Sequence, residues 1–137
     1  KAAVAAGGGS NHRMGLYDGV LIKDNHIAAA GSVAEALRRV ADRHPGMPRE
    51  VEVKTEDQLR EALDHGAEMI LLDNMTPERV RACLAIVAAS GKTPEIEVSG
   101  NVTEATIADY DIPGVHRISL GSLTHSVKAL DLSMKFV

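Results

Sequence analysis

The stretch EVEVKTEDQLREALDHGAEMILL, residues 50–72, decides the fold. Glu50-Val51-Glu52-Val53 alternates acid and aliphatic, the period of two that a strand requires. Thr55 with Gln58 forms a capping box ahead of Leu59, Ala62 and Leu63, which share one helical face. Gly66 supplies the stop. Met69-Ile70-Leu71-Leu72 is apolar throughout and reads as a strand buried on both faces. A strand, a helix and a strand in this order imply parallel pairing through a right-handed crossover.

The same grammar runs outward in both directions. Upstream, Gly19-Val20-Leu21-Ile22 is a buried strand. Ser32 with Glu35 then caps a helix carrying Val33, Leu37, Val40 and Ala41. Downstream, Thr76-Pro77 opens a helix with Val80, Cys83, Leu84 and Val87, closed by Gly91. Glu95-Ile96-Glu97-Val98 is the fourth strand. Thr103 opens a fourth helix carrying Ile107, ended before Pro113-Gly114. His116 to Leu120 is the fifth strand. The fold class is α/β with parallel strands. Five strands do not close an eight-stranded barrel, which takes about 250 residues. The chain is therefore an open sheet or part of a barrel. Leu130, Leu132, Met134 and Phe136 alternate with polar residues, so a last strand is expected over 128–137, docking outside the α/β unit.

Composition removes several function classes. The chain has 137 residues, 45% hydrophobic and 25% charged, which fits one globular domain. Its formal charge of −4 argues against a field that recruits nucleic acid. Tyr17, Tyr110 and Phe136 are the only aromatics among F, W and Y, too few for a base-stacking platform. One cysteine, Cys83, excludes an internal disulfide framework and is expected in the core. No apolar run approaches the roughly 20 residues of a membrane helix. No signal peptide is visible, so a cytoplasmic protein is expected.

Chemistry in parallel α/β folds collects at the carboxyl ends of the strands. Here the strands end in Lys23-Asp24-Asn25-His26, near Glu52, in Asp73-Asn74, in Ser99-Gly100-Asn101 and in Gly121-Ser122. His12, Arg13 and Lys23 could together hold a dianionic small molecule. Alone, Asn11-His12-Arg13 reads more readily as a solvated loop, a reading weakened by Gly7-Gly8-Gly9, which lets backbone pack closely beside it. Glu52 and Asp73 sit on strands joined by one crossover. They could hold Mg²⁺ or bind sugar hydroxyls. Glu52 could instead face solvent, and Asp73-Asn74 could be an ordinary turn. In a closed barrel the Glu50 and Glu52 face would point inward, which is costly unless the acids are paired or working. Ser99-Gly100-Asn101 and the loop from Gly121 to Ser126 are anion-binding candidates. His44 and His65 read as surface residues; His26 and His116 carry no assigned role.

Residues 7–26 (GGGSNHRMGLYDGVLIKDNH) closely resemble the signature of the quinolinate phosphoribosyltransferases. Glu50 to Val53, Leu71 to Met75, Glu97 to Gly100 and Ile118 to Ser126 are similar to further blocks of that family, in its order. The resemblance implies a type II phosphoribosyltransferase barrel. Residues 1–127 would be the C-terminal part of that catalytic barrel, with the family's N-terminal sandwich domain absent from this chain. It also implies a homodimer or higher homo-oligomer. The implied reaction joins quinolinate and phosphoribosyl pyrophosphate, with Mg²⁺, into nicotinate mononucleotide, pyrophosphate and carbon dioxide. By resemblance, His12, Arg13 and Lys23 hold quinolinate. Lys23, Glu52 and Asp73 are catalytic, and Glu52 and Asp73 face the ribose and its metal-bound diphosphate. Ser99, Gly100, Asn101, Gly121 and His125 cradle the 5′-phosphate. Many relatives carry a second glycine where Asn101 stands; asparagine tolerates left-handed backbone better than most residues. The competing readings are a sister transferase for another pyridine or a metal-uptake-related substrate, a non-catalytic phosphate-binding module, and, last, a generic barrel isomerase.

Overall fold

Strands and helices alternate from Val20 to Ile118 in the computed structural model, which describes residues 1–136. The elements are α1 (Ala2–Ala6), β1 (Val20–Ile22), α2 (Asp24–Ala30), α3 (Val33–Arg43), β2 (Arg49–Val53), α4 (Glu56–Asp64), β3 (Met69–Asp73), α5 (Pro77–Ser90), β4 (Glu95–Ser99) and β5 (Arg117–Ile118). The five strands form one sheet in the order β1-β2-β3-β4-β5, and every pairing is parallel. This is an open arc of β/α barrel wall, with β1 and β5 as its edges.

The expected caps close as hydrogen bonds. Ser32 Oγ accepts from the Glu35 N–H at 3.0 Å, and Thr55 Oγ1 from the Gln58 N–H at 3.2 Å. Gln58 Oε1 in turn accepts from the Lys54 N–H at 2.8 Å, fixing the turn from β2 into α4. Gly91 ends α5 with φ +67°, where a Cβ would be strained.

Register separates two faces. Ile22, Val51, Ile70 and Ile96 lie in line across the sheet, followed by Val53, Leu72, Val98 and Ile118. These residues join Leu37, Leu59, Leu63, Val80 and Cys83 from α3, α4 and α5 in one core. The alternate positions form the opposite face. Its first row is Leu21, Glu50, Met69 and Glu95; its second is Glu52, Leu71, Glu97 and Arg117; Asp73 and Ser99 follow. No α3–α5 residue covers that face, so acids alternate with core aliphatics along β2 and β4.

Four local outcomes differ from expectation. Asp24–Ala30 is a helix, favoured by its alanine run and ended by Gly31 at φ +98°. Ala2–Ala6 is a short helix as well. No α-helix follows Thr103; that segment holds turns and a 3-10 turn over Ile107–Tyr110. Thr106 Oγ1 takes the Thr103 N–H at 3.0 Å and the Ile107 N–H reaches the Thr103 carbonyl at 2.9 Å, one turn that is not continued as an α-helix. Residues 127–136 form neither strand nor helix, because no strand of this chain lies beside them, and Val137 lies outside the described residues. No helix among the described residues is long and apolar enough to cross a membrane.

Leu72 is wholly buried at the centre of the sheet. We expect Leu72→Ala to destabilise the protein by about 3 kcal/mol, the usual scale for emptying such a site. Denaturant midpoints check this; a loss below about 1 kcal/mol would mean the helices collapse into the gap.

Candidate active site

The carboxyl ends of β1, β2 and β3 bring charged groups together. Lys23 ends β1, and its N–H donates to His26 Nδ1 at 2.9 Å, so His26 pins the turn into α2. Lys23 Nζ lies 3.7 Å from Glu52 Oε2. Lys54, the first residue after β2, places Nζ 2.8 Å from Asp24 Oδ2 and 3.8 Å from both Glu52 Oε1 and Asp73 Oδ2. One ammonium therefore sits among three carboxylates. Asp24 pulls the Lys54 pKa up, and Lys54 pulls the Asp24 carboxyl down. Both groups lie open to water, where such pairs contribute little stability.

Asp73 is tied to the Ser99–Asn101 loop by an asparagine pair. Asn74 Nδ2 donates to Asp73 Oδ1 at 2.9 Å, and Asn101 Nδ2 donates to Asn74 Oδ1 at 2.8 Å. The Asn74 N–H donates to the Ser99 carbonyl at 2.9 Å. Asn74 and Asn101 both take left-handed backbone, at φ +53° and +55°. So Asn101 adopts the left-handed geometry that asparagine tolerates better than most residues. Gly100 has φ +93°, and a Cβ there would fall 2.5 Å from Asn74 Oδ1, so no side chain fits without displacing the pair.

Ser99 and Gly121 line one cavity of about 320 Å³ with Lys1, Asn11, Ser119 and Thr124. A Cβ on Gly121 would fall 2.5 Å from His125 Nε2, so the imidazole lies directly against that glycine. The N–H groups of Thr124 and His125 both donate to the Gly121 carbonyl at 3.0 Å. Two strand-end loops thus meet at one hollow, which Val4, Ile118, Leu120 and Leu123 also line, whereas Gly100, Asn101 and His125 do not.

The cationic set is divided. His12 and Arg13 line a smaller cavity, about 190 Å³, with Asp18, Glu50 and Arg117, near the start of β1. Arg13 Nη1 donates to the Gly19 carbonyl at 3.1 Å. Lys23 is at the other end of β1 and does not line this cavity. β2 spans the gap: Glu50 meets His12 and Glu52 meets Lys23, two residues or about 7 Å apart along the strand.

Glu50 and Glu97 were not expected as site residues, yet they are the buried acids, at 1% and 3% exposure. His12 Nε2 lies 2.6 Å from Glu50 Oε2 and 3.7 Å from Glu97 Oε2. Ser119 Oγ donates to Glu97 Oε1 at 2.6 Å. Glu50 Oε1 has no hydrogen-bond partner among the described residues. Burial pushes the Glu50 carboxyl upward, and the Glu97 charge adds to this; His12 opposes both. The signal was present in the sequence: a strand with every second residue acidic and the rest aliphatic must put several acids on one face. Lys54 carries no signal of its own in the sequence, because it lies one residue past β2 and reaches Asp24, Glu52 and Asp73 only through its long side chain.

Two donor sets could hold a cation. Glu52 and Asp73 offer carboxylate oxygens of the kind Mg²⁺ takes, and Lys54 already places a positive charge between them. His12, Glu50 and Glu97 offer ligand atoms within 4.8 Å of one another. Cys83 is buried, with burial raising its thiol and Sγ 3.6 Å from Met75 Sδ, so it packs rather than reacts. His116 Nδ1 accepts from the Ile96 N–H at 3.0 Å and links β4 to β5. His44 and His65 cap the ends of α3 and α4.

Residues 1–135 match the family profile described as quinolinate phosphoribosyl transferase, C-terminal domain. The chain belongs to this family. It is 51% identical over 135 residues to the probable nicotinate-nucleotide pyrophosphorylase [carboxylating] of Bacillus subtilis, covering 98% of this chain and 46% of that protein. It is 43% identical over 134 residues to the nicotinate-nucleotide pyrophosphorylase [carboxylating] of Mycobacterium leprae, covering 98% and 47%. The crystal structure of NadC from Streptococcus pyogenes superposes with a TM-score of 0.88 at 41% identity, covering 98% and 46%. The chain spans about half the length of these relatives.

Glu50 titration is testable. Its pKa in the fold lies above the ordinary 4.5, so the folded state binds more protons than the unfolded state over that interval. The associated stability is full below pH 4.5 and declines as pH rises through the folded pKa. Glu50→Gln stays neutral. We expect its stability relative to wild type to increase from about pH 4.5 upward, read from denaturant midpoints across pH. A difference that is flat with pH would exclude an upward shift.

Proposed function

We propose that the protein containing this chain transfers phosphoribose from phosphoribosyl pyrophosphate to quinolinate with decarboxylation. The products are nicotinate mononucleotide, pyrophosphate and carbon dioxide, a step of de novo NAD synthesis. The observation that carries this reading is the family match across residues 1–135. The printed names of the relatives describe the same carboxylating pyrophosphorylase. We place the protein in the cytoplasm, as a homodimer or higher homo-oligomer.

In this reading His12, Arg13 and Lys23 bind the carboxylates of quinolinate and aim its ring nitrogen. The arginine fork suits a carboxylate and the lysine acts as a point charge. The ring nitrogen bonds to the anomeric carbon as the bond to diphosphate breaks. Positive charge grows on the sugar in that step. Glu52 and Asp73, preorganised at neighbouring strand ends, stabilise it electrostatically. Bound at Glu52 and Asp73, Mg²⁺ would neutralise charge on the diphosphate. Ser99, Gly100, Asn101, Gly121 and His125 hold the 5′-phosphate, which keeps the sugar in line with the nitrogen. The quaternised ring then accepts the electron pair left when carbon dioxide departs, and that ring carbon takes up a proton.

The decisive assay is release of carbon dioxide from carboxyl-labelled quinolinate by the complete protein with phosphoribosyl pyrophosphate and Mg²⁺. We expect release in wild type. Arg13→Ala should raise the KM for quinolinate about 10- to 100-fold, the scale of one charge-assisted hydrogen bond, and the KM for the ribosyl donor by far less. Asp73→Ala should lower kcat about 100-fold with the fold intact. No release from folded wild-type protein would move the assignment to a sister transferase for another pyridine. Equal KM changes for Arg13→Ala would remove Arg13 from the quinolinate site.

A further inference from the structure

We infer that Glu50, backed by Glu97, is a positioning residue: it captures the Nε2 edge of His12 and leaves the Nδ1 edge free for an acid group of the substrate. The inference rests on the quinolinate reading for the identity of that acid, and on geometry for the rest.

Three observations carry it. First, the contact is the anchor of its loop. No regular element lies between Ala6 and Val20. Two side-chain bonds reach from this loop toward the sheet: Arg13 to the Gly19 carbonyl, and His12 to Glu50. Only the second holds the loop to the open face. Second, the anchor draws on two strands. Glu50 comes from β2 and Glu97 from β4, and both approach the same ring nitrogen. Ser119, just beyond β5, fixes the far oxygen of Glu97. The Nε2 edge of the ring is thereby committed to the sheet. Third, the arrangement is expensive as mere structure. Glu50 is 1% exposed, and its Oε1 has no partner. An apolar residue of the same shape would fill that place at lower cost. Meanwhile His12 keeps about 30% of its side chain exposed and lines the cavity it shares with Arg13. Its Nδ1 bonds no described residue.

The test uses the complete protein and the variants Glu50→Met, Glu50→Gln, His12→Ala and the double variant His12→Ala/Glu50→Met. We expect Glu50→Met to raise the quinolinate KM about tenfold, to change the donor KM less than twofold, and not to lower the denaturation midpoint. Glu50→Gln keeps an acceptor oxygen and should fall between wild type and Glu50→Met. On the His12→Ala background, Glu50→Met should add nothing further, because the effect runs through the ring. The same tenfold loss on that background would overturn the inference, as would a parallel rise in both KM values. A second readout does not depend on turnover. The His12 ring Nε2–H should give a slowly exchanging NMR signal in wild type that disappears in Glu50→Met. Its persistence there would also overturn the inference. If wild type releases no carbon dioxide while this signal behaves as expected, the quinolinate reading fails and the positioning role stands.

Discussion

A carboxylate taken out of water costs several kcal/mol unless charge and hydrogen bonds replace the water. That constraint governs the open face of this sheet. β2 and β4 each present alternate residues to it, and those residues are glutamates. Glu50 and Glu97 are buried there; Glu52 is nearly so. Basic side chains on this face meet its acids, and Lys54 reaches Asp73 as well as a glutamate. His12 reaches Glu50 and Glu97, while Lys23 and Lys54 reach Glu52. The helix side of the sheet would be the same with any aliphatic pattern. The acid side determines where the loop before β1 lies and which residues line its cavities.

The fold was readable because each local signal agreed with the global one. Thr55 and Gln58, Ser32 and Glu35, and Thr76 with Pro77 mark helix starts that the backbone obeys. The runs at Val20, Glu50, Met69 and Glu95 pair as parallel neighbours in chain order. Failures lie where no pattern marks the element. Ala2–Ala6 and Asp24–Ala30 turn helical through their alanine runs, and after Thr103 one turn forms and stops, the Ile107 N–H reaching the Thr103 carbonyl at 2.9 Å. At Leu130 to Phe136 the alternation is real, but a strand needs a neighbour, and periodicity does not say where that neighbour lies.

The site was readable at strand ends and much less so elsewhere. The placement of Asp73, Ser99 and Gly121 at or just past strand ends followed from the alternation of strands and helices. Glu50 and Glu97 did not, because a period of two identifies a shared face without saying whether it meets water or protein. Lys54 escaped for a related reason: nothing in its spacing shows that its ammonium lies among Asp24, Glu52 and Asp73. Long side chains cross distances that strand periodicity does not encode. The division of His12 and Arg13 from Lys23 is likewise a matter of reach, since all three belong to one motif of sequence.

The asparagine pair shows how sub-sites are held in register without a shared element. Asp73 belongs to the carboxylate group and Ser99 to the cavity shared with Gly121, and they are paired across β3 and β4. Asn74 bonds both sides, through Asp73 Oδ1 and the Ser99 carbonyl, and Asn101 closes the link from the opposite loop. Both asparagines need left-handed backbone to do this, and Gly100 must lack a side chain for Asn74 to fit. With glycine at 101, the left-handed turn would survive but the amide contact would be lost. In this chain the turn and the contact are joined in one residue. The distance between the Asp73 carboxylate and the Ser99 loop is then set by covalent geometry plus three hydrogen bonds. A sugar phosphate bridging the two would meet a site of fixed span, which is the condition for holding a reacting carbon in line.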